Sequence, residues 1–412
     1  MADALAKALA NAPPRPPRVE IVVIGGGRMG DLRGRHVAAS LDAALAGVVD
    51  PDAAAAAKAA TLLGCAAFSS LASALAAKPN AQCWICAPTK FHPALIEEAA
   101  NAGRHVACEK PVGLDPKQIA DAYDVCAFHN VGLHCAFQRR SDAAYAELRR
   151  RVAAGAVGAP RSIRCVFRDH PTPAEAFLLG GGGDVYHDLA THDIDFALAL
   201  ARDAFGGGDA VAHAPDEVYA VGSSSTPALA AAAVHDAATV VVTWRQRGGL
   251  VATFDLSRSS AYGGRAETRP GVATVFSASR RQRRRIAATP RARSGARRYG
   301  YDQRCEVFGD SGAALSVENP SAMPLRCADA AGVGTGPRVH SFPERFRGAF
   351  ERDVAGFVES CRGGGEPLVS RADAVLATLV AEAARRSSEL RRPVRLVNAK
   401  SSSDPADLAL DG

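Results

Sequence analysis

Val19-Glu20-Ile21-Val22-Val23-Ile24-Gly25-Gly26-Gly27-Arg28-Met29-Gly30 is the stretch that decides the fold. An apolar run broken only by Glu20 suits the central strand of a parallel sheet, which is buried on both faces and so shows no alternation. It runs straight into G-x-G-x-x-G, and a helical stretch follows to about Ala46. A second strand, Gly47-Val48-Val49, ends at Asp50, twenty residues after the last glycine. A glycine triplet alone decides little. Strand, glycines, helix, strand and terminal acid in that order predict a dinucleotide-binding βαβ unit. Gly25 permits the tight turn, Gly27 lets the backbone approach a pyrophosphate, and Gly30 lets the helix lie close to the strand with its N-terminus toward the phosphates. Asp50 would accept hydrogen bonds from the ribose hydroxyls, and its charge repels a 2′-phosphate, so NAD is expected over NADP. Arg28, with Met29 beside it, could add to phosphate binding in either case.

The alternation continues outward from this unit. Helices are expected at Asp52 to Leu63 and around Leu71 to Ala77, then a strand from Ala81 to Ala87 that ends in Pro88-Thr89. Helix His92 to Ala102 and strand His105 to Cys108 follow, the latter ending in Glu109-Lys110-Pro111. Strands alternating with helices give a doubly wound parallel sheet, which takes its ligands at the carboxyl ends of the strands. Pro88, Thr89, Glu109, Lys110 and Pro111 all fall at such ends, which makes Lys110 a candidate functional group.

A second concentration of chemistry lies at Gly180 to Asp195, where a glycine run precedes Asp184, Asp188, His192 and Asp195. On a helix their spacings of four, four and three put them on one face. A carboxylate one turn from an imidazole can hold one ring nitrogen and leave the other free to take a proton from a hydroxyl. His187 and Asp193 point elsewhere in that arrangement.

Composition sets the outer bounds. A chain of 412 residues exceeds the size at which single cores stop growing, so two domains are expected. No run of about 18 apolar residues is present to span a bilayer. Ten cysteines scattered through a long chain point to a reducing, cytoplasmic compartment rather than to a disulfide framework. Cys83-Trp84-Ile85-Cys86 imitates a redox motif, but in a buried strand its two thiols fall on opposite faces. The net charge of +6 is local: Gly264 to Gly300 holds eleven arginines and one glutamate, leaving the rest of the chain net acidic. Neither a nucleic acid nor a membrane partner is expected, and no histidine or cysteine spacing argues for a metal.

Taken together, Gly25 to Gly30, Asp50, Pro88-Thr89 with His92, Glu109-Lys110-Pro111 and Asp188-x-x-x-His192-Asp193 resemble the Gfo/Idh/MocA oxidoreductases, and within them the inositol 2-dehydrogenases. The resemblance runs from about Val19 to Val394. Its most specific pieces are Phe137 to Asp142, the Gly155-Ala156-Val157-Gly158-x-Pro160 loop, Arg168-Asp169, and Tyr301 to Gly309. It implies an N-terminal Rossmann domain that binds NAD (19–136). It also implies a C-terminal α/β domain (137–395) with a large open, mostly antiparallel sheet that serves oligomer contacts, in a homotetramer or dimer. Lys110, Asp188 and His192 are the implied catalytic set, with His192 as base and Asp188 orienting it. Pro88, Thr89, His92, Glu109, Lys110 and Pro111 join the glycine turn on the cofactor, and Arg139 and Tyr301 are candidates for the substrate wall. The implied reaction is oxidation of a cyclic polyol, myo-inositol foremost, to its ketone. Another sugar or polyol dehydrogenase, or a non-catalytic nucleotide-binding sensor, are the alternatives.

Three segments are set apart as disordered: a proline-rich leader (1–18), the arginine-rich stretch 264–300, and a Ser- and Asp-rich tail (396–412). The middle one reads as an insertion, since deleting it would restore Ala261-Tyr262-Gly263-Tyr301-Asp302.

Overall fold

The computed structural model describes residues 15–180, 183–245, 247–258, 301–319, 326–329, 332–335, 339, 341–365, 367–398 and 401–412. The 264–300 insertion and nearly all of the leader, singled out above, lie outside these residues.

Six parallel strands form the N-terminal sheet: β1 (Val19–Ile24), β2 (Ala43–Val49), β3 (Ala66–Phe68), β4 (Gln82–Ile85), β5 (Val106–Glu109) and β6 (Leu133–Ala136). Their order, β3-β2-β1-β4-β5-β6, reverses beside β1 and so opens a crevice there at the strands' carboxyl ends. Helices α1 (Arg28–Ala39), α2 (Ala53–Leu63), α3 (Leu71–Ala77), α4 (His92–Asn101) and α5 (Pro116–Phe128) make the crossovers. The expected helix reaching Ala46 stops at Ala39, and β2 begins at Ala43 rather than at Gly47. Parallel pairing explains this, because Val19 to Ile21 at the start of β1 need Ala43 to Leu45 as partners, and pairing overrides the helix preference of an Ala-rich stretch.

The second sheet has eight strands in the order β12-β11-β7-β10-β9-β8-β15-β16. These are β7 (Pro160–Arg168), β8 (Glu217–Ser223), β9 (Ala237–Trp244), β10 (Leu250–Ser257), β11 (Asp302–Gly309), β12 (Ala314–Val317), β15 (Val394–Val397) and β16 (Ala409–Asp411), with a separate hairpin, β13 (Arg326–Asp329) and β14 (Gly332–Thr335). All neighbours pair antiparallel except β7 and β10. Helices α6 (Ala143–Ala153), α7 (Thr191–Ala204), α8 (Arg347–Cys361) and α9 (Arg371–Leu390) complete the elements that matter for the site. The alternation along β9 and β10 buries one face of this sheet and leaves the other part-exposed.

Two expectations need correction. Helix α8 lies at positions assigned to the second domain, yet its Val354, Phe357 and Val358 pack with Ile21, Val23, Trp84 and Ala107 on the first sheet. The chain therefore returns to roof the nucleotide domain. The tail is also ordered where described: Ala409 to Asp411 pair with Arg395 to Val397, and Asp404 holds Arg371 at 2.8 Å. Cys83 and Cys86 fall in different apolar clusters, as strand alternation requires. Among the described residues no helix is long and apolar enough to cross a membrane, and no cluster of histidine, cysteine or acid side chains is placed to hold a metal ion.

Candidate active site

The glycine turn behaves as its spacing demands. Gly25 has φ +110°, and a Cβ there would lie 2.8 Å from the Cys86 carbonyl group. At Gly30 a Cβ would fall 1.8 Å from the Gly25 oxygen, so only glycine lets α1 approach the turn. A Cβ on Gly27 meets nothing within 4 Å, and the first turn of α1 has no side-chain cap. That open cradle of backbone N–H groups fits a pyrophosphate. Asp50 closes the turn: its carboxylate accepts from Gly26 N at 2.8 Å and Asp52 N at 2.9 Å, which fixes its oxygens at the end of β2 with lone pairs to spare for ribose hydroxyls. Arg28 is exposed and places its guanidinium 5.2 Å from the Phe342 ring, reaching toward the second domain. Met29 is half-buried.

At the ends of β4 and β5 the expected cofactor residues divide. Pro88 and Thr89 are accessible, and Lys110 and Pro111 are half-buried across a cis peptide bond. His92 is buried instead, with Nδ1 2.8 Å from the Pro111 oxygen and Nε2 2.7 Å from the Ala87 oxygen. It ties the two loops together and does not face the crevice. Glu109 also turns inward, where its carboxylate accepts from Arg33 Nε at 2.6 Å. Arg33 is fully buried, bonds Asp353 at 3.0 Å as well, and lies between the rings of Trp84 and Phe350 at 4.8 and 4.7 Å. One guanidinium thus locks the cofactor helix, the strand that presents Lys110 and α8 together. His92 and Glu109 shape the nucleotide edge from behind.

From the second domain comes the segment singled out at Gly180 to Asp195, and it does not form one α-helix. Asp184 caps it, accepting from Tyr186 N and His187 N at 2.7 Å. Val185–Ala190 then winds as a π-helix before α7 begins. The wider turn breaks the four-residue face. Asp184 pairs with His187 at 2.8 Å, Asp195 binds Arg140 at 2.7 Å in the core, and only Asp188 and His192 remain at the crevice.

Asp188 is the centre of the arrangement. Its Oδ1 accepts from Lys110 Nζ at 2.7 Å, and its backbone oxygen accepts from the same nitrogen at 2.7 Å. Its Oδ2 accepts from Arg258 Nη2 at 2.7 Å. The expected bond from Asp188 to His192 is not formed; the carboxylate oxygens turn to the two cations instead. Burial pushes the Asp188 carboxyl up, but Lys110 and Arg258 reverse this and hold it well below the usual carboxylate range. The side chain keeps 37% of its surface, so a substrate hydroxyl can still reach it. His192 is 7% exposed, its Nδ1 meets no hydrogen-bond partner among the described residues, and Phe137 and Phe167 wall its ring at 6.0 and 6.2 Å. Burial, then Lys110 and Arg139, push its pKa well below 6.5 against the pull of Asp188, so the imidazole is neutral without a bonded carboxylate.

Arg139 and Tyr301, expected on the substrate wall, lie behind it, each 1% exposed. Arg139 forms an ion pair with the fully buried Asp193 and sits over Phe167 at 5.5 Å. Tyr301 is 3.1 Å from the Gln303 amide and packs edge-on against Phe167 at 5.5 Å. They brace the ring that walls His192. Arg258, which binds the Asp188 carboxylate, is a residue of this arrangement that the sequence does not single out. It stands 70 positions from Asp188 and is one arginine among many, so no local pattern marks it. What results is a lysine with two of its three N–H donors bonded, a buried neutral imidazole and an accessible carboxylate, beside a turn shaped for a dinucleotide. That set can polarise an alcohol oxygen and remove its proton.

Comparison with known proteins agrees with this geometry. Residues 19–137 match the family model described as an oxidoreductase family with an NAD-binding Rossmann fold, and residues 145–315 match the GFO/IDH/MocA C-terminal domain. An inositol 2-dehydrogenase of Rhizobium meliloti is 27% identical over 379 residues, covering 92% of this chain and 99% of its own. A myo-inositol 2-dehydrogenase of Thermotoga maritima is 27% identical, covering 76% of this chain and 78% of its own. Among solved structures, a myo-inositol dehydrogenase from Corynebacterium glutamicum is 25% identical with a TM-score of 0.73, over 93% of this chain and all (100%) of that one. With both domain models matched in order along one chain, the protein belongs to the Gfo/Idh/MocA family of NAD-binding oxidoreductases.

Proposed function

We propose that the protein uses NAD to oxidise a secondary alcohol of a cyclic polyol to the ketone, with myo-inositol giving 2-keto-myo-inositol. The observation that carries this reading is the pairing of Lys110 with Asp188 beside the neutral His192, at the carboxyl edge of the nucleotide sheet. The names of the relatives support the substrate class.

When bound, NAD supplies the acceptor for the hydride. Gly25, Gly27, Gly30 and Asp50 would hold it, and Pro88, Thr89 and Pro111 would border its reactive end. Lys110 spends two N–H donors on Asp188, which leaves one for the substrate oxygen, where it stabilises the negative charge that develops as the proton leaves. His192 takes that proton; being neutral already, it needs no prior deprotonation. Asp188 positions Lys110 and offers its accessible edge to a neighbouring hydroxyl, which suits a ring bearing adjacent alcohols.

Half-exposed Tyr219 (39%), Val221 (54%) and Phe308 (37%) on the open sheet support a homo-oligomer, dimer or tetramer, formed through that face. Turnover of a panel of inositols and aldoses with NAD tests the substrate. An inositol should be oxidised with the highest kcat/KM; preference for an aldose, or NAD binding without any turnover, would overturn the reading.

A further inference from the structure

Arg258 follows the last residue of β10, and its side chain is 2% exposed. Its Nη2 donates to Asp188 Oδ2 at 2.7 Å, to the Gly183 oxygen at 2.9 Å and to the Asp184 oxygen at 3.3 Å. Its backbone N–H is anchored on the Asp236 oxygen at 2.7 Å. One nitrogen of a buried guanidinium therefore gathers the end of the glycine run, the cap of the π-helix and the carboxylate that Lys110 binds. The fit is close: Gly183 has φ +87°, and a Cβ there would lie 2.9 Å from the Asp188 Cβ.

The charges show what this contact does. Asp188 is one anion between two cations, Lys110 and Arg258, so the group carries a net positive charge toward the crevice. Without Arg258 it would be a neutral pair, and Oδ2 would have the nearby imidazole as its next attraction. We propose that Arg258 is a positioning residue for the reaction: by holding Oδ2 it keeps Asp188 turned to Lys110 and off His192, which preserves a positive field at the reacting oxygen and an unbound base. This inference rests on the dehydrogenase reading above.

The groups facing His192 are Lys110 from the loop after β5, Arg139 from the turn after β6 and Asp188 from its own segment, with the uncharged rings of Phe137 and Phe167. Asp169, after β7, is near enough to Arg258 and Asp188 to interact with both. Losing the arginine thus strengthens Asp188 against His192 and leaves the other charges in place. The His192 pKa should then rise.

The test compares the full chain with Arg258→Gln and Arg258→Lys. Three quantities are read: NAD affinity by fluorescence, kcat with myo-inositol, and the His192 titration by NMR in apo protein carrying ¹³C-labelled imidazoles, with the resonance identified by its loss in His192→Gln. Arg258→Gln should bind NAD within about threefold of the parent, lose kcat by about 10²-fold as a misplaced catalytic group does, and raise the His192 midpoint by about one pH unit or more. Arg258→Lys, which keeps the charge, should recover part of the turnover and stay near the parental midpoint. Turnover within threefold of the parent in Arg258→Gln, or a loss of turnover with an unmoved midpoint, overturns the proposal. If Arg258→Gln does not fold, Arg258→Lys decides: a turnover loss of about 10²-fold with the midpoint unmoved overturns it. Failure of the parent to oxidise any inositol would refute the substrate reading alone, because the imidazole titration needs no substrate.

Discussion

Arg33 and Arg35 stand two positions apart on α1 and should respond very unequally to the same substitution. Arg33→Met keeps the bulk between Trp84 and Phe350 but takes the guanidinium away from two buried carboxylates, Asp353 at 1% exposure and Glu109 at 8%. Removing one partner of a buried ion pair costs about 3–5 kcal/mol, because the remaining charge is left uncompensated. Loss of two cation–π contacts adds about 1 kcal/mol or more. Arg35 pairs with Asp31 in the open, at 55% and 37% exposure, so Arg35→Met should cost about 0.2–1 kcal/mol. Urea unfolding of both variants and the parent, followed by fluorescence, measures the difference. The pH dependence gives the argument a sign. Burial pushes the Asp353 carboxyl up, but Arg33, His134 and Ser141 more than reverse this and bring it down to about 2. Its native contribution is therefore present above the unfolded value near 3.8 and is lost as pH falls toward 2. In Arg33→Met the buried acid can relieve its cost by protonating, so the gap between variant and parent should be widest near pH 7 and narrow toward pH 4. Equal costs for the two arginines, or a gap independent of pH, would refute the reasoning.

Asp50→Ala should weaken NAD use and relax discrimination against NADP, read from kcat/KM with each cofactor; a native preference for NADP of about tenfold, or about 1.4 kcal/mol, would contradict the role of Asp50. Oxidation should show no acid limb near pH 6.5, since the depressed His192 pKa keeps the base neutral and puts the fall in rate well below that point; a limb at 6.5 would contradict this. Gly183→Ala should cost about 1–3 kcal/mol in backbone strain and displace Asp188, lowering kcat more than it raises the KM for NAD. Deleting 264–300 should leave a folded, active protein, because Ser257 and Asp302 both pair with Arg168 on either side of β7. Their strands are thus about 10 Å apart, a gap that the seven remaining residues span easily; a deletion variant that fails to fold beside a soluble, active parent would contradict it.

The nucleotide half was legible because its signals are local. Gly25 needs a positive φ, Gly30 needs the absence of a side chain, and Asp50 and Lys110 end strands whose apolar runs are continuous. The second half of the site was legible only in part. Spacing brings Asp188 and His192 to attention but not their relation, because the π-turn at Val185–Ala190 shifts the face and because Lys110 and Arg258, from distant parts of the chain, orient the carboxylate that the spacing pairs with His192. Arg139, His92 and Glu109 face inward, where their partners Asp193, the Ala87 and Pro111 carbonyls, and Arg33 come from other elements. The tail strand Ala409–Asp411 has no pattern of its own, and its order comes from pairing with β15 and from the Asp404–Arg371 contact.

The central claim is that Lys110, Asp188 and His192 act together on an alcohol next to bound NAD. Steady-state oxidation of myo-inositol by Lys110→Met and His192→Ala, with NAD affinity measured alongside, tests it most directly. Turnover should fall by about 10²–10⁴ while NAD affinity stays near the parent's, because the glycine turn and Asp50 are untouched. Turnover within a few fold of the parent in both variants, in a protein that oxidises inositol, would remove these residues from the chemistry.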